Sequence, residues 1–281
     1  MVLELLFNPF TLKKKLWQVF LTGFFYSLVG LMLAYFVFKE VSGILMVFLI
    51  VFATIPMVYI TIKREEELDL KYDNEWKLLK EHTKLLIFLM VLFFGITAAL
   101  TMAYIFLPQH AVDTIFSLQK NAIVNVNSNV QGKITQFTLF TRIFINNVKV
   151  LFFCLVFSFL YGTGAMFILT WNASVIAAAI GNLIKSKLAE ATSLIGLPSI
   201  SAYFSVTAFS FFRYMTHGIF EIAAYFIGGL AGGIVSIALI KHNLQENRVL
   251  IDSLDLVLIS IGFLIVAALI EVFVTPIFFL S

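Results

Sequence analysis

Arg213-Tyr-Met-Thr-His217-Gly-Ile-Phe-Glu221, running on through Gly228-Gly229-Leu-Ala-Gly232-Gly233 to Ile240, decides how the chain is read. The stretch is apolar and rich in glycine, yet it carries a histidine and a glutamate. Arg213, His217 and Glu221 are four residues apart, which places them on one face of an α-helix. Gly228 and Gly232 fall close to the same face. Hydrocarbon excludes ionisable groups unless they are paired, neutralised or turned to a cavity. The spacing therefore predicts a membrane helix whose polar face looks into protein, with the rest of the chain as its surroundings. Phe226, off that face, is expected to meet lipid.

The composition agrees. Of 281 residues, 61% are hydrophobic and 12% charged, and the mean hydropathy is +1.00. A soluble domain is about half apolar and about a quarter charged. The expected fold class is all-α, a polytopic transmembrane helical bundle, and the expected location is a cell membrane crossed several times. The net charge of +3 comes from basic residues in short loops. Such residues set orientation in the bilayer. Acidic residues interleave with them, so nucleic acid is not an expected partner. The single Cys154 excludes a disulfide framework and a thiolate zinc site. The first long apolar run lacks a small-residue cleavage site and is expected to remain as an anchor.

Apolar runs near 17–38, 43–62 and 85–107 are each about the 20 residues needed to span. Between the second and third lies the charged segment 63–84, read as a solvated cytoplasmic helix. Residues 108–141 are polar but poor in charge, and are read as an external loop, a connector that caps the bundle in preference to a binding loop. Together these make an N-terminal three-span region, 1–141. The remainder, 142–281, is read as a membrane core with spans near 143–170, 216–240 and 253–280. Two short apolar runs, 173–184 and 204–215, read as short or re-entrant helices. Counting 173–184 as a crossing gives about seven spans. Lys13, Lys14 and Lys15 then hold the N-terminus in the cytoplasm.

In that arrangement Glu271 of the last span lies at a depth similar to His217 and Glu221. Three readings of this set compete, and the residues alone do not separate them. The set is a buried hydrogen-bonded lock that fixes helix register. Or it is a divalent-metal site, zinc for instance, with His217 and Glu221 at the i, i+4 spacing that suits a metal on a helix and Glu271 completing it. Or it is a proton or ion relay. Arg213, Asn146, Asn147 and Asn172 are the other polar side chains expected to be buried. No second histidine completes an H-E-x-x-H motif. No G-x-x-x-x-G-K-[ST] loop is present. Whether the protein is an enzyme stays open.

Four motifs carry a resemblance to a known family. They are Asn146-Asn147 opening a long span, Gly162-x-Gly164 with Trp171-Asn172 further on, His217-Gly218-x-x-Glu221, and Ala267-Ala268-Leu-Ile-Glu271-Val-Phe-Val-Thr275-Pro276. Over roughly 140–280 the chain resembles the stage II sporulation protein M family of integral membrane proteins. The family usually has Asn-Gly where this chain has Asn172-Ala173. The resemblance implies a multi-spanning helical fold. It also implies the role the family has in spore formers, a membrane scaffold for partners that remodel peptidoglycan. The expected function is accordingly a membrane scaffold or assembly protein with a buried His/Glu cluster. The alternative is a metal-dependent intramembrane enzyme or an ion-coupled transporter using the same residues. Expected partners are the lipid bilayer, membrane or cell-envelope proteins and a second copy of the chain. A dimer through the Gly228/Gly232 and Gly229/Gly233 spacing is favoured, since small residues allow close helix contact.

Overall fold

A computed structural model describes residues 15–69, 75–128, 135–195, 200–240 and 247–279. Every element among them is helical. In chain order these are α1 (Leu16–Val37), α2 (Ser42–Asp69), α3 (Glu75–Phe106), α4 (Gln109–Ile115), α5 (Ser117–Ser128), α6 (Gln136–Tyr161), α7 (Ala165–Ile195), α8 (Ile200–Ile240) and α9 (Asn247–Leu269). A π-helical turn (Ile270–Val274) and the short α10 (Thr275–Phe279) follow. Seven of the helices are long and apolar enough to cross a membrane. The expected all-α bundle with seven spans is thus the fold. Lys13 and Lys14 of the basic N-terminal run lie outside the described residues.

Several boundaries differ from the expectation, each for a local reason. The apolar run 143–170 is not one helix, because it breaks between α6 and α7. Gly162 has φ 68° and ψ −51°, and the Thr163 N–H bonds back to the Tyr161 carbonyl at 2.7 Å. That is a γ-turn, a conformation open to glycine and strained for a residue with a Cβ. Gly164 completes the joint, since a Cβ there would lie 2.1 Å from the Phe157 carbonyl oxygen. Hydropathy does not register this break, because both sides of it are apolar.

With the break at 162, the run 173–184 is no longer short or re-entrant. It is the middle of α7, whose apolar span is Ala165–Glu190. Likewise 204–215 is not a half-helix, because it continues unbroken into the segment that follows as the first turns of α8. The expected external loop 108–141 is helical over α4 and α5. Ala111, Val112, Ile115 and Phe116 are buried there, so this segment caps the bundle, as expected. On its outer side Lys120 pairs with Asp113, and that hydrogen bond holds the Asp113 carboxyl below the ordinary carboxylate range. Side chains of most of the charged segment 63–84 lie outside the described residues.

The core is organised around α8. It packs against α9, α6 and α7, and also against α2 and α3. Of its most apolar stretch 89% is buried, against 56% for the next most buried span. Surrounded on this many sides, α8 has little lipid-facing surface. Phe226 is accordingly buried, packed edge-on against Phe93 with ring centroids 6.2 Å apart, and does not meet lipid as expected.

The α6–α8 contact is unusually close. A Cβ on Gly232 would sit 2.6 Å from the Leu155 carbonyl oxygen, and one on Gly233 would sit 2.8 Å from that of Gly162. Backbone meets backbone only where no side chain intervenes. The glycine face expected to receive a second copy is therefore occupied within the chain. The α1–α3 pair repeats the device, with Gly95 facing the Phe20 carbonyl and Gly23 facing that of Leu92.

Candidate functional site: an intramembrane polar seam

The close α6–α8 approach brings polar groups together farther along the same contact. Asn147 on α6 is 6% exposed, and its Nδ2 donates to Glu221 Oε1 on α8 at 2.5 Å. Proceeding along the seam, Leu151 fills the space above Gly228, and Ser158 lies beside Gly229 and Gly232. The pairing follows from helix periodicity. Asn147, Leu151, Leu155 and Ser158 form one stripe of α6, and Glu221, Gly228 and Gly232 form one of α8. A charge-capable carboxyl and an amide share that stripe with small residues, so they meet as the backbones close.

The third wall comes from the end of the chain. Thr275 donates its N–H to the Ile270 carbonyl five residues back, and its Oγ1 donates to the same oxygen at 3.2 Å. Pro276 follows and has no N–H to offer the Val272 carbonyl, which favours the wider turn. Such π-bulges are rare and are often found at functional sites. This one carries Glu271 and packs on both α8 and α6. Glu271 and Glu221 lie within electrostatic reach of each other. With its hydroxyl hydrogen directed to Ile270, Thr275 Oγ1 is left to accept from Nδ1 of His217 at 3.4 Å.

The structure therefore joins the expected residues in pairs. Glu221 meets Asn147 and lies within electrostatic reach of Glu271; His217 meets Thr275. His217, Glu221 and Glu271 are each partly buried. Arg213, one turn from His217, is partly buried and makes interactions of its own. Asn172 lies on α7, and among the described residues its buried Nδ2 finds no hydrogen-bond partner. Asn146 was expected to be buried and is exposed. Adjacent helix residues point about 100° apart, so a stripe that buries Asn147 turns Asn146 away. Among the described residues, no three His, Cys, Asp or Glu side chains are grouped as metal ligands would be.

Two residues of the seam were not anticipated. Thr275 belonged to a quoted motif but was given no role. Tyr225 is 4% exposed and lies within electrostatic reach of Glu221, Glu271 and Cys154. It continues the four-residue spacing of 213, 217 and 221, so extending that count by one step finds it.

Against known proteins, the sequence model of the family described as "Stage II sporulation protein M" matches residues 84–276. The match begins well before residue 140, where the resemblance was first placed, and takes in the apolar span of α3. An uncharacterized protein of Methanocaldococcus jannaschii is 30% identical over 145 residues, covering 49% of this chain and 71% of that protein. No solved structure matches the chain.

Proposed function

Because the chain belongs to the stage II sporulation protein M family, we propose that it works as a non-enzymatic assembly protein of the membrane, with the polar seam as its internal lock. The Asn147–Glu221 hydrogen bond carries this reading. It spends the most conspicuous polar groups of the core on each other, across two helices that are distant in sequence. A lock of this kind fixes the relative placement of α6, α8 and α9, and a fixed outer surface is what a scaffold presents. The partners proposed are membrane or cell-envelope proteins, a second copy of the chain among them. The orientation proposed has the N-terminus in the cytoplasm, as the basic run Lys13 to Lys15 favours.

The test is site-specific photo-cross-linking in native membranes from exposed positions on α6, such as Phe152 and Phe159. Discrete adducts, to a second copy or to one or two envelope proteins, are the expected result. A chain that stays uncross-linked from every exposed α6 position and monomeric in lipid would refute the assembly role.

A second reading rests on two carboxyl groups within electrostatic reach of each other and an imidazole one helical turn from Glu221, the groups that intramembrane proton relays use. In that case vesicles containing the protein would pass protons under an imposed gradient, and Glu221→Gln would abolish the flux. Tight vesicles with no flux above background would remove this reading.

A further inference from the structure

Lys149 is the only charged residue between Arg142 and the end of α6 at Tyr161, and it is exposed. Asn147, Leu151, Cys154 and Ser158 are the buried residues of that helix. At about 100° per residue, Lys149 falls roughly opposite the middle of this group, so it points away from the bundle. Asn146, also exposed, lies about 60° from it on the same outward side.

This lysine is deep. It is thirteen residues from one end of the Gln136–Tyr161 span and twelve from the other, about 18 Å from the nearer. The neighbouring helices agree. Along the α6–α8 contact, Lys149 lies between the Asn147–Glu221 bond and the meeting of Leu151 with Gly228. Phe226, from the same interval of α8, packs on Phe93. Phe93 is eleven residues from one end of the α3 span and thirteen from the other. Two spans thus put this level at the middle of the membrane. Snorkelling serves lysines near helix ends, not one at this depth. A charge in mid-membrane pairs with another or lines a wet cavity. Within the chain Lys149 does neither, since it points outward and, among the described residues, pairs with no carboxylate.

Charge selects what covers it. Lipid tails offer an ammonium nothing, and a lipid phosphate does not reach the midplane. A second copy docked through the same face about a two-fold axis would set Lys149 against Lys149. Glu221 and Glu271 are turned into the seam. Asp255 of α9 is exposed, but it is six residues from the end of its span, on the side of the bundle where Lys149 is twelve residues from the end of α6. That is a mismatch of about 9 Å in depth, so a second copy does not bring the two level. We propose that the outward face of α6 is covered by a transmembrane helix of another protein, which carries an Asp or Glu near the middle of its span opposite Lys149. This rests on the assembly role proposed above and names the partner of one surface.

The full chain, labelled at one site, is placed in phosphatidylcholine vesicles with synthetic transmembrane helices of leucine and alanine that carry Glu, Leu or Lys at the centre. Energy transfer reads association. The Glu helix is expected to bind about tenfold more tightly than the Leu helix, the size of an interhelical polar contact in model peptides. Lys149→Leu should erase that preference, and Lys149→Glu should transfer it to the Lys helix. Circular dichroism reports whether each variant has folded; if Lys149→Glu does not fold, Lys149→Leu decides. Equal binding of the Glu and Leu helices overturns the proposal. So does a preference for Glu that survives in Lys149→Leu, and so does association between two copies of the chain that Lys149→Leu removes. In native membranes, adducts to another protein from Phe152, which is exposed about 60° from Lys149, should vanish in folded Lys149→Glu. If they persist, the assembly role stands and the acidic partner falls. If no exposed α6 position of the unaltered chain gives an adduct, both fall.

Discussion

Asn146 and Asn147 differ by one position and by almost everything that matters physically. One is exposed; the other is buried against a carboxyl. Asn147→Leu is expected to destabilise the protein by about 1–2 kcal/mol, the range for an interhelical hydrogen bond in a bilayer plus the polar atom left behind. Asn146→Leu should change stability by no more than about 0.5 kcal/mol, as for other exposed sites. Unfolding in mixed micelles measures both, and equal losses would contradict the seam. At this scale the sequence shows the side of α8 that matters. Regular spacing is a local property, and His217 and Glu221 declare it. Their partners do not, because no local period connects Asn147 to Glu221 or Thr275 to His217. The choice between Asn146 and Asn147 is made by the helix that arrives opposite them.

Among elements, the glycines divide into those that permit contact and those that do not. A Cβ on Gly232 would collide with the α6 backbone, whereas one on Gly262 meets nothing within 4 Å. Gly232→Ala is expected to force α6 and α8 apart and cost about 2 kcal/mol or more, in the range of overpacked cores. Gly262→Ala should be neutral or stabilise by up to about 1 kcal/mol, since alanine is the better helix former. Thermal midpoints in lipid, taken side by side, check the contrast. The glycine stripe was legible as a place of close approach, but its partner was assigned to another chain. Composition shows that a surface is smooth and does not say which helix lies on it. The joint at Gly162 was hidden for a different reason. Hydropathy averages over a window, and a γ-turn between two apolar helices leaves the average unchanged.

On the scale of the whole molecule, length and hydropathy were enough to count seven crossings. They do not by themselves show that α8 is the central one; the ionisable face of 213–221, which cannot be turned to lipid, pointed to it. Its central place depends on burial from every side, which is set by how helices are shared out and not by the apolar content of any one of them. The proposed orientation rests on where the basic residues fall. In a Cys154→Ala background, Ser117→Cys on α5 should react with an impermeant maleimide from outside intact cells. Lys63→Cys, at the other end of the bundle, should react only after permeabilisation, and the reverse pattern would invert the topology. The bond that closes the seam also has a history. Its two partners are 74 residues apart. At a translation rate of about 5–20 residues per second, Asn147 leaves the ribosome roughly 4–15 s before Glu221 does. For that interval its amide has no partner on α8, so α6 must be sheltered by the insertion machinery or wait at the water boundary. A chaperone or insertase that recognises an unfinished polar helix would act on this protein during that delay, and on a Glu221→Ala chain for longer.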